Sequence, residues 1–210
     1  MDELKISELD DRLQKQLHSA REALGRGGVD YIVQICGELL KHHPGAFEVR
    51  DLLWKALYSE IQKSSGLSWP NKKSSGFQFK LSTRSLLKTD PLALLLKCDE
   101  QLRGKQIFTE LFVSMDKAAE ALGWLESRVV ACKALSELES EKVAPRLALA
   151  QLLIEVGRPQ QAIESLEWAL SKEPSNASAQ TLLKNASVAE TLQRGNWEDS
   201  GTSFHSKKQS

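Results

Sequence analysis

Apolar residues recur along most of this chain at spacings of three and four, the mark of helices that bury one stripe. Leu9, Leu13, Leu17, Ala20 and Leu24 predict a first helix over 7–24, with Ser7 and Asp10 reading as a loose capping box and Gly25, Gly27 and Gly28 ending it. Ile32, Ile35, Cys36, Leu39 and Leu40 predict a second over 29–42, stopped by Pro44-Gly45. Leu52, Leu53, Ala56, Leu57 and Ile61 predict a third over 46–62. Further helices are predicted over 83–87, 91–102, 106–122, 125–140, 144–156, 159–171 and 177–193, with Asp90 as an N-cap and Pro91 in the first turn. Alternating β-branched runs are absent and strong helix formers dominate, so the expected fold class is all-α.

Two stretches break the periodicity. Ser64 to Lys80 reads SSGLSWPNKKSSGFQFK, long for a loop inside a compact domain. Its aromatics, Trp69, Phe77 and Phe79, are unusual for a passive linker, and should dock on this protein's own surface or on a partner. Residues 195–210 lack periodicity and are expected to be disordered unless Trp197 or Phe204 is pinned. The expected organisation is a helical segment over 1–63, a flexible loop over 64–82, a helical array over 83–194 and a tail over 195–210.

Composition narrows the function class. Lys plus Arg and Asp plus Glu both number 28, so the formal net charge is zero. A nucleic-acid binder or a polybasic membrane-surface protein needs a cationic excess, so neither partner is expected. The first residues are polar and acidic, unlike a signal peptide, and the longest apolar run, 91–96, is far too short to span a bilayer. Cys36, Cys98 and Cys132 are far apart and sit in apolar helical contexts, as small buried hydrophobes do, so a reduced, cytoplasmic protein is expected. His42 and His43 close a predicted helix and read as cationic caps rather than metal ligands. Phosphate-loop, dinucleotide-binding, zinc-protease and nucleophile-elbow motifs are missing, and no histidine lies beside a nucleophile. No enzymatic activity, cofactor or metal is expected; the best place for an exception is an acidic cleft holding Glu110 and Glu120.

The second half repeats. Residues 143–176, VAPRLALAQLLIEVGRPQQAIESLEWALSKEPSN, form a unit of 34. Leu149 and Ala150 fall at its seventh and eighth positions, Ala162 at the twentieth, Leu166 at the twenty-fourth, Ala169 at the twenty-seventh and Pro174 at the thirty-second. This segment resembles a tetratricopeptide repeat, a family that keeps small residues at the eighth, twentieth and twenty-seventh positions so that two helices can approach closely. Residues 109–142 resemble a degenerate copy, with Gly123 matching Gly157 but Arg128 standing where Ala162 does. Residues 177–193 would then supply a capping helix. Gly27 and Pro44 keep the spacing of Gly157 and Pro174, placing Ala20, Ile32 and Leu39 at the eighth, twentieth and twenty-seventh positions of a divergent N-terminal pair. A generic helical bundle is the other reading of that half.

The resemblance implies a right-handed superhelix of helix pairs, an α-solenoid whose concave face is lined by the first helix of each pair. It implies groove positions at Ala144, Leu147, Gln151 and Ile154, at Glu110, Val113, Lys117 and Glu120, and at Ser178, Thr181, Asn185 and Val188. The implied function is a scaffold or adaptor without chemistry of its own, holding a peptide or helix of another protein. The alternative is a chaperone-like or regulatory subunit that holds an unstable client. Co-expression separates the two, because a chaperone raises its client's soluble yield.

Overall fold

The computed structural model of the chain describes residues 2–63 and 73–202, with the backbone alone over 73–75 and 195–202. Among them are eleven α-helices, a 3-10 turn at Ile6–Glu8 and one isolated parallel bridge, Leu4 to Ala46. The helices are α1 (Asp11–Gly25), α2 (Val29–His42), α3 (Phe47–Lys63), α4 (Lys73–Thr83), α5 (Leu86–Thr89), α6 (Pro91–Arg103), α7 (Thr109–Leu122), α8 (Leu125–Leu138), α9 (Val143–Glu155), α10 (Pro159–Lys172) and α11 (Ala177–Thr202). The chain forms two compact units, 1–138 and 139–210. Within the first, α1 packs on α2, α2 on α3, α5 on α6, α6 on α7 and α7 on α8; within the second, α9 packs on α10 and α10 on α11. The division falls after α8 rather than in the 64–82 stretch, because α6, α7 and α8 share one core with α1, α2 and α3.

Three turns repeat the same backbone device. Gly27, Gly123 and Gly157 take φ of +77°, +73° and +74°, the left-handed region open to glycine. Past each, an amide reaches back five residues: Gly28 N to Ala23 O, Trp124 N to Ala119 O and Arg158 N to Leu153 O. These are Schellman closures, which satisfy the orphan carbonyls of α1, α7 and α9. The ends of α2 and α10 match as well. His43 and Glu173 share one conformation (φ −129°, ψ 64° and φ −130°, ψ 79°) and donate to the carbonyls of Leu39 and Ala169. The Gly27–Pro44 and Gly157–Pro174 stretches are thus alike in turn geometry as well as in spacing.

The boundaries differ from expectation where side chains override periodicity. Asp10, not Ser7, caps α1, its carboxylate accepting from Leu13 N at 2.9 Å. Ser7 lies in the 3-10 turn, where Glu8 reaches back to Lys5 N at 2.6 Å. Asp90 caps α6 as its sequence suggests, accepting from Ala93 N. In the stretch expected to be a loop, 73–83 is helix α4, which packs on α7. Residues 64–72, with Trp69, lie outside the described residues. Helix α11 continues to Thr202, past the expected start of a tail at 195; residues 203–210 lie outside the described residues.

In the first unit, α3 sits at the centre. The Trp54 ring meets Phe112 of α7 edge-on at 4.7 Å, and its indole N–H donates to Glu137 of α8. Arg50, fully buried, forks onto the Asp99 carboxylate at 2.8 and 2.7 Å and donates further to Ser127 Oγ and Pro44 O. One guanidinium therefore ties α3 to α6, to α8 and to the turn before α3. The N-terminal segment crosses Gly45 so closely that a Cβ there would fall 2.2 Å from Asp2 O. That crossing lets Glu3 accept from Glu126 N and Ser127 N, capping α8 from a distant part of the chain.

All three cysteines are buried, and burial pushes the Cys36 and Cys132 thiols up to about 12 and raises Cys98 too. A thiol this far above neutrality carries almost no thiolate, the reactive form. The native protein at pH 8 should therefore leave all three unmodified by a water-soluble thiol reagent for hours, and denaturant should release three equivalents. One cysteine titrating quickly in the native state would place it at the surface.

The second unit is α9, α10 and α11, each packed on the other two. Ala150, Ala162, Leu166, Ala169, Ala179 and Ala186 are fully enclosed. Two cations lie over the Trp168 ring of α10, Arg146 at 4.2 Å from the centroid and Lys172 at 5.5 Å.

A candidate protein-binding surface

Helix α9 buries Leu149, Leu152 and Leu153 on its inner side. Leu147, Gln151 and Ile154, spaced four and three apart, form another stripe. Gln151 is exposed and the two apolar residues are half-buried. Helix α11 buries Ala179 and Ala186 and presents Thr181, Asn185, Val188 and Leu192 to solvent, again at spacings of four and three. Val188 is 59% and Leu192 64% exposed, two branched apolar side chains one turn apart on the same face. Neither stripe contains a charged residue. Asn176 caps α11 by accepting from Ala179 N, and Gln193 donates to Gly157 O, which anchors α11 beside the α9–α10 turn.

In the first unit the implied groove positions lie on α7. Lys117 and Glu120 are exposed; Glu110 and Val113 are half-buried. Glu120 lies 3.2 Å from the Arg128 guanidinium, so it belongs to an ion pair. The Glu110 carboxylate lies against Gly76 of α4, where a Cβ would come within 2.3 Å of it. Ten residues of helix separate Glu110 from Glu120, about 15 Å along the axis, so the two carboxylates do not share a cleft. Of the loop aromatics, Phe79 packs on Phe108 at 5.5 Å and Phe77 is 62% exposed. Trp69 lies outside the described residues, and for Trp197 only the helical backbone is described.

Leu192 was not legible as a candidate. The repeat template ends its groove stripe at the twelfth position, Val188, while α11 runs on and brings up the next i+4 residue. A separate cleft of about 400 Å³ between α2 and α6 is lined by Gly37, Ala93 and Leu96, by the cations Lys41, Lys97 and Arg103, and by the carboxylates Asp99 and Glu100. Glu38 answers two of those cations, Lys41 at 2.6 Å and Arg103 at 3.5 Å. His18 is exposed beside Glu22, and His42 and His43 close α2. Among the described residues no three His, Cys, Asp or Glu side chains gather as metal ligands would, and no helix is long and apolar enough to cross a membrane. Comparison with protein-family models, curated proteins and solved structures finds no match for this chain.

Proposed function

We propose that this chain is a non-catalytic protein-interaction module, a tetratricopeptide-like stack of helix pairs that holds a helix or extended apolar segment of another protein. The ligand surface is the pair of stripes on α9 and α11. The exposure of Val188 and Leu192, in line with the uncharged Thr181 and Asn185, carries this reading. Two large apolar side chains held in water on one helix face cost solvation free energy that binding returns. Leu147 and Ile154 continue the same chemistry on α9, half-buried, and Gln151 and Asn185 offer amides to a ligand backbone.

The test is charge insertion. Val188→Glu with Leu192→Glu changes only exposed positions, so helicity and melting temperature should hold while partner affinity falls about 100-fold or more. Leu147→Glu with Ile154→Glu should also remove binding. If the second pair unfolds the protein, those residues belong to the core and the surface reduces to α11. If the first pair binds as wild type does, the stripe is not the ligand surface.

A further inference from the structure

Helix α4 buries a stripe of its own against α7. Gly76 and Thr83 are buried and Phe79 is half-buried, at spacings of three and four. Gly76 lets the α4 backbone sit directly on the Glu110 carboxylate, and Phe79 stacks edge-on against Phe108 just before α7 begins. The opposite side of α4 carries Phe77 and Leu81, 62% and 57% exposed. Glu110 is also one of the positions at which the repeat pattern puts a ligand. The helix seated there is part of the chain itself.

We propose that the N-terminal end of α7 is a second helix-docking site, and that α4 is its tethered occupant, exchanging with a partner helix of the same pattern: a small residue, an aromatic three positions on, and a second small residue four beyond that. Three features support exchange over permanent packing. Among the described residues of α4, one aromatic, Phe79, and two small residues, Gly76 and Thr83, face inward, little apolar surface to hold a helix of eleven residues. An isolated helix of that length is marginal in water, so α4 forms when docked and melts when released. Two large apolar side chains on its outer face gain nothing from the docked state. Joined to α5 by a two-residue turn, α4 stays at high local concentration beside the site, so it excludes weak competitors and yields to a helix with a better aromatic contact. Of the proposed function, this takes only the expectation that first-of-pair helices receive helices; it does not involve α9 or α11.

The experiment uses the full chain and a fluorescent peptide spanning residues 73–85. Amides of Phe77–Thr83 should exchange with deuterium at least 100-fold faster than those in the centres of α3 and α7. Phe79→Ala should keep the melting temperature and bind the peptide at least tenfold tighter than the wild-type chain, whose own α4 competes. A peptide carrying the same Phe79→Ala change should not bind. The proposal is overturned if α4 exchanges only with global unfolding, if Phe79→Ala melts the whole chain, or if the peptide binds both chains equally or neither. No partner is needed, so failure here leaves the α9–α11 surface untouched, and failure there leaves this site standing.

Discussion

Replacing Arg50 by Met should destabilise the protein by about 3–5 kcal/mol, and Asp99→Ala should do the same. Each change leaves the other charge enclosed, since Arg50 is fully buried and Asp99 is 5% exposed. Arg50→Met also strips partners from Ser127 Oγ and Pro44 O, two oxygens held at 3.1 and 2.8 Å. The double variant Arg50→Met with Asp99→Leu should cost much less than the sum, because two apolar side chains remove the desolvation penalty with the pair. Urea unfolding of the two singles and the double measures the coupling. Additive losses would mean that the two residues act independently and that the buried fork does not organise the first unit.

Ala162→Arg should cost about 3 kcal/mol or more. Ala162 is fully enclosed in α10, and Ala150, twelve residues earlier in the repeat, is enclosed with it. The first unit shows what an arginine at this place requires. Arg128 stands at the equivalent position on α8, where its side chain stays 21% exposed and its guanidinium pairs with Asp116 at 3.0 Å and Glu120 at 3.2 Å. Asp116 and Glu120 correspond to Ala150 and Ile154 in the second unit. An arginine at 162 would therefore meet an alanine and an isoleucine and find no carboxylate. Adding Ala150→Asp and Ile154→Glu to Ala162→Arg should recover part of the loss by rebuilding the ion pair. A melting temperature unchanged by Ala162→Arg alone would contradict the repeat register.

The helices were legible because their determinants are local. Leu39, Leu40, Leu52, Leu53 and Leu57 mark stripes, and Gly27, Gly123 and Gly157 sit where the chain must take positive φ. Determinants that act across the fold were harder to read. Arg50 lies among Val49, Leu53 and Leu57, and Asp99 between Leu95 and Leu102, all buried. An opposite charge on each of two apolar stripes was the available signal for their pairing. Glu3 could not be read, because its cap on α8 closes across more than a hundred residues. Helix α4 has only a weak apolar stripe, and Gly76 argues against a helix on propensity; packing on α7 decides it. The candidate surface was legible where the repeat template extends, at Leu147, Gln151, Ile154, Thr181 and Asn185. It was not legible at Leu192, beyond the template.

The central claim is that α9 and α11 form the ligand face, and site-specific photocrosslinking in cells tests it most directly. A photoreactive phenylalanine placed singly at Gln151 or Asn185 should capture one and the same protein, and that product should vanish when Val188→Glu and Leu192→Glu are added. The same probe at Glu164, on the exposed face of α10, should capture nothing in common with them. Equal capture from Glu164, or a product that survives the Val188 and Leu192 changes, would contradict the account.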